Sequence, residues 1–151
     1  MAKAEEDLGV ADLLLAENTS YLSAAGFHSQ QAVEKFLKAL LVRHQVEFPK
    51  THDLGKLLDL LTSVEPPLAK ALECVADLAP YGVQTRYPGD LPEVSREEAE
   101  EALRLTRQAR ERVLEALATY LGPRRPLKGA DTSPEPGGEG GDSSKSFGES
   151  S

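Results

Sequence analysis

Gln31, Lys35 and Lys38 recur at steps of four and three in the run from Gln30 to Leu41. A helix places residues three and four apart on one side, so these side chains share a face with Glu34. An amide beside two ammonium groups is a donor set for a phosphate or for an acidic partner surface. Glu34 also precedes Lys38 by four residues, the favourable order for an ion pair, and a solvated face with local pairs is the plain structural reading. His52 and Asp53 follow Pro49-Lys50-Thr51 and open another helix. Free amides at a helix start favour anions; Asp53 answers that charge itself, while His52 offers a further donor to a bound phosphate. Arg86 and Tyr87, in the run Arg86-Tyr87-Pro88-Gly89-Asp90, set a guanidinium fork beside a ring that stacks on a base. The structural alternative has Arg86 satisfying helix-end carbonyls and Tyr87 filling the core.

Other chemistries are absent from the sequence. Three histidines and the single Cys74 show no HExxH or CxxC spacing, so no metal site is expected. There is no GxxxxGK[ST] loop, GxSxG elbow or GxGxxG turn, and no cofactor is expected. His28 and His44 each read as an isolated helical histidine, part surface and part packing. Cys74 reads as a small residue packed on a helix, and one cysteine permits no internal disulfide.

The elements that must position these residues are helical. Aromatics make up only 5% of the chain and Trp is absent, so the core rests on Leu, Ala and Val, of which Leu and Ala are strong helix formers. With 151 residues and a formal net charge of −8, one domain is expected, and general duplex DNA binding is excluded for want of a basic footprint. The acidic start lacks a signal-type apolar run, and no stretch approaches the roughly 20 apolar residues that span a bilayer, so a soluble, cytoplasmic protein is expected.

Periodicity and breakers predict five helical segments, at about 3–18, 21–45, 52–62, 68–79 and 95–121. Asn18-Thr19-Ser20 separates the first two, and Pro49 and Glu65-Pro66-Pro67 punctuate the next ones. Gly26 marks a close helix crossing or a break. Thr51 is the expected N-cap of the third helix. Residues 80–94, with three prolines and two glycines, read as a long loop. Ser95 and Glu98 form a capping box for the last helix, whose stripe of Ala99, Ala102, Thr106, Ala109, Val113, Ala116 and Tyr120 is small enough for close approach. The fold class expected is all-α: an up-and-down bundle of four to five helices over residues 1–122, then a disordered Gly/Ser/Pro-rich tail over 123–151.

Three blocks of residues resemble the HEPN domain family: Phe27 to Leu41, then Thr51-His52-Asp53-Leu54, then Thr85-Arg86-Tyr87-Pro88. The resemblance covers most of residues 5–121. It implies a helical bundle, usually a homodimer, that often accompanies a separately encoded minimal nucleotidyltransferase in toxin–antitoxin-like pairs. Many members are metal-independent ribonucleases, with an Arg, four to six residues and then a His on a late helix. This sequence departs from that pattern: its last histidine is His52, and no family catalytic residue carries over. The resulting expectation is a non-catalytic module that binds a nucleotide or a nucleotidyltransferase partner through Gln31, Lys35, Lys38, His52, Arg86 and Tyr87. The alternatives are a ribonuclease with a non-standard site built on His52 and Arg86, and a purely structural adaptor.

Overall fold

Helices account for the regular elements among the described residues, and no strand occurs there. The computed structural model describes residues 1–84 and 93–120, the side chains of Val83, Gln84 and Tyr120 excepted. Helix α1 spans Ala2–Ala16, α2 Leu22–Arg43, α3 Leu54–Val64 and α4 Pro66–Ala71. A 3-10 turn, Glu73–Leu78, leads into α5, Ala79–Gln84, and α6 runs over Arg96–Tyr120. The molecule is thus an all-α bundle. Arg86, Tyr87 and the tail expected over 123–151 lie outside the described residues.

Local chemistry sets the helix ends. At the end of α1, Asn18 takes a φ of 54°, a conformation its short polar side chain tolerates, and the Thr19 hydroxyl donates to the Leu14 carbonyl at 3.0 Å. α2 closes in a Schellman motif: the Val46 amide donates to Leu41 O at 2.9 Å and the Gln45 amide to Val42 O at 3.0 Å. Gln45, at φ 58°, holds the left-handed position that usually goes to glycine. The capping box at α6 is present: the Glu98 amide donates to Ser95 Oγ at 3.1 Å, and the Ser95 amide to Glu98 Oε2 at 2.7 Å.

Four sequence expectations are corrected. The N-cap of α3 is Asp53, whose carboxylate accepts from the Lys56 amide at 3.2 Å; Thr51 sits two residues earlier and accepts from the Asp53 amide. The predicted 68–79 helix begins at Pro66, because proline lacks only an amide that a first turn does not use, and it gives way after Ala71 to the 3-10 turn. For the same reason Pro80 does not start a loop; it lies in the first turn of α5. Cys74, on the 3-10 turn, is exposed rather than packed.

α2 is the central member. Its Phe36, Leu37, Leu40 and Leu41 are at most 1% exposed and share one core with Leu54, Leu57 and Leu61 of α3, Leu72, Leu78 and the α6 residues Ala102, Leu105, Ala109 and Val113. A second cluster joins Ala11 and Leu15 of α1 to Ala25, Val94, Ala99 and Leu103. The small α6 stripe is buried from Ala99 to Val113, as close approach requires. Gly26 is not a break but a buried mid-helix residue, with the Tyr81 ring of α5 laid against it. Gly82 returns the fit: a Cβ there would come 3.0–3.3 Å from the Gln30 amide group. Ion pairs seam α1 to α6, Asp12 with Arg107 and Glu5 with Arg110. No helix among the described residues is long and apolar enough to cross a membrane.

Candidate functional site

Gln30, Glu34, Leu37 and Leu41 step by four, three and four along α2, and all four are buried. Two polar side chains therefore stand on a face that is otherwise core. Glu34 is only 3% exposed and Gln30 1%. A carboxylate at that depth needs donors to offset its lost hydration. It has two: Lys38 Nζ donates to Oε1 at 2.8 Å, and His52 Nδ1 lies 3.1 Å from Oε1 and 3.0 Å from Oε2.

The connection from α2 to α3 delivers His52 to this point. The Schellman turn reverses the chain, and Val46 and Phe48 then pack against the core. Phe48 also supports the Lys38 ammonium, 5.8 Å from its ring centroid. Thr51 and Asp53 fix the turn into α3. The Gln30 amide donates to the His52 carbonyl at 3.4 Å, and the Gln31 amide donates to Gln30 Oε1 at 2.8 Å. The chain Gln31–Gln30–His52–Glu34–Lys38 is thus one hydrogen-bonded cluster, buried at Glu34 and open at His52, whose side chain is 65% exposed.

Of the residues singled out from the sequence, the structure brings Gln31, Lys38 and His52 together. Lys35 faces elsewhere. Its ammonium donates to Asp7 of α1, whose other carboxylate oxygen takes His28 Nδ1 at 2.9 Å. α1 covers that flank of α2, so two lysines three residues apart serve different seams. Sequence reasoning missed Gln30 as a member and missed the depth of Glu34. The signal was available in the four-three-four step that both share with Leu37 and Leu41. His44 completes a pattern: each of the three histidines holds a carboxylate, His28 that of Asp7, His44 that of Glu65 and His52 that of Glu34.

The cluster presents hydrogen-bonding groups and positive charge at the surface, with its single negative charge turned inward. Lys38 spends one N–H on Glu34 and keeps two; His52 keeps its Nε2. Among the described residues no group of His, Cys, Asp and Glu side chains is arranged to hold a metal ion. Grooves of about 510 and 300 Å³ flank α4, and neither is lined by a residue of the cluster.

Comparison with known proteins adds a family. The profile of the HEPN domain matches residues 1–117. A protein of Methanocaldococcus jannaschii named "Putative toxin MJ1304" is 31% identical over 140 residues, which cover 83% of this chain and 88% of that protein. No solved structure matches.

Proposed function

This chain belongs to the HEPN domain family, and from that premise we propose that it is a non-catalytic module of a toxin–antitoxin-like pair, binding a nucleotide, a minimal nucleotidyltransferase partner, or both. The observation that carries this reading is the cluster around Glu34. A buried carboxylate that holds an exposed imidazole and a partly exposed ammonium in fixed positions is costly as mere packing, and it presents both groups outward as one recognition surface. The toxin name of the Methanocaldococcus jannaschii relative supports placement in such a pair. The non-catalytic side rests on the sequence: no histidine follows His52, so α6 lacks the imidazole that the ribonuclease pattern requires. A homodimer, the usual state in the family, is part of the proposal.

Titration calorimetry with ATP, with GTP and with a co-encoded nucleotidyltransferase tests the reading. Binding that weakens in Lys38→Ala and His52→Ala is the expected result. No heat with any of the three removes the proposal. A second reading, metal-independent RNA cleavage, draws on one feature: Glu34 backs His52 as a carboxylate backs a general base. Metal-free RNA cleavage that disappears in His52→Ala would favour it over the first.

A further inference from the structure

We propose that Glu34 is a positioning residue that makes His52 a hydrogen-bond acceptor, so that the site selects a sugar phosphate, with a hydroxyl beside its anionic group, over a phosphate monoester without hydroxyls. The inference deepens the nucleotide-binding arm of the function proposed above and rests on it.

A carboxylate accepts hydrogen bonds and has none to give. With both oxygens of Glu34 about the Nδ1 of His52, at 3.1 and 3.0 Å, the ring proton sits on Nδ1. A neutral imidazole carries one proton, so Nε2 is left as a lone pair. That nitrogen has no partner among the described residues, and the side chain is 65% exposed. The other two pairs differ here: the side chains of His28 and His44 are only 30% and 11% exposed. His52 alone of the three turns most of its ring to solvent.

The neighbour of that acceptor is a cation. Lys38 and His52 both bond Glu34 Oε1, so the ammonium and the ring lie side by side, and the Gln31 side chain continues the same α2 face. An acceptor next to a cation is complementary to a donor next to an anion. A ribose hydroxyl close to its own phosphate has that pattern. A phosphate ester with nothing but acceptor oxygens satisfies Lys38 and leaves the Nε2 lone pair facing like density. Glu34 touches no ligand in this scheme; it acts by deciding which ring nitrogen bears the proton.

The test uses the full chain at mildly alkaline pH. Long-range ¹H–¹⁵N correlation spectra report the His52 tautomer, and ribose 5-phosphate and methyl phosphate serve as paired probes of equal anionic character. The expected results are an Nδ1–H tautomer and ribose 5-phosphate binding tighter by about fivefold, the worth of one neutral hydrogen bond. The preference is lost in His52→Ala and Glu34→Ala and kept in Glu34→Gln, whose amide oxygen still accepts from Nδ1. If Glu34→Ala unfolds, the wild-type tautomer and the Glu34→Gln preference decide the matter. An Nε2–H tautomer, or equal binding of the two probes, overturns this inference and leaves the nucleotide reading standing. Failure of both probes to bind overturns the nucleotide reading and this inference with it.

Discussion

The ring of Tyr81 occupies the space where any residue larger than glycine would place its Cβ at position 26: an added carbon there would come within 2.8 Å of Tyr81 Cδ1 and 3.1 Å of Cγ. These are atoms near the root of the side chain, so the ring cannot simply swing aside. Gly26→Ala is expected to destabilise the bundle by about 1–3 kcal/mol, overpacking outweighing the roughly 1 kcal/mol that alanine gains over glycine in a helix. With Tyr81→Ala already in place, the same change should become stabilising. Denaturant melts of the four proteins in this cycle check it; an unchanged sign in both backgrounds would count against the fit.

Ser29 Oγ is buried and has no hydrogen-bond partner among the described residues, while the carbonyl of the same residue takes the Thr106 hydroxyl from α6 at 3.3 Å. Ser29→Ala removes the unsatisfied hydroxyl, nearly preserves the shape and improves helix propensity. Stability is expected to rise by about 0.5–1.5 kcal/mol. A fall in the urea midpoint would show that the hydroxyl has a use.

Gln45 supplies the left-handed residue of the α2 Schellman turn, where a Cβ is a handicap. Gln45→Gly should stabilise by about 0.5–1 kcal/mol, and Gln45→Val should destabilise, because a β-branched side chain is least tolerant of positive φ. Thermal melts of both variants, moving in opposite directions, are the check. Movement in the same direction would contradict the assigned backbone.

Burial raises the pKa of the Tyr81 phenol, and the carboxylates of Glu98 and Glu101 on α6 raise it further. A proton held more tightly in the folded than in the unfolded state stabilises the fold fully below the ordinary tyrosine range. That contribution is lost as pH climbs through the raised folded-state value. Denaturation midpoints should therefore fall across this alkaline window, and less steeply in Tyr81→Phe. The phenolate absorbance titrating above the usual range should vanish in the same variant. Identical slopes for the two proteins would sink the prediction.

Much of this architecture is legible in the sequence because it depends on neighbours in the chain. The Ser95/Glu98 box, the breaks at Asn18 and before Pro66, and the Leu- and Ala-based core stripes are local patterns, and the structure contains each. What is not legible depends on which helix covers which flank. Lys35 and Lys38 look equivalent until α1 brings Asp7 to one of them. Thr51 and Asp53 are both good caps, and only the path that carries His52 to Glu34 selects Asp53. The small residues Gly26 and Gly82 announce a close approach without naming Tyr81 and Gln30 as the groups that approach.

The three histidine–carboxylate pairs also bear on how the chain finds this arrangement. They join residues 21, 18 and 21 positions apart, whereas the pairs that seat α6 on α1 span 95 and 105. Short loops close at lower entropic cost than long ones, so α1, α2 and α3 are expected to assemble as a nucleus before α6 docks. Folding rates should then drop in Leu37→Ala, while Arg110→Ala chiefly speeds unfolding. A slowed folding limb for Arg110→Ala would mean that the last helix is recruited early. On the expected order, a nascent chain holds its recognition surface ready while its last helix is still being made.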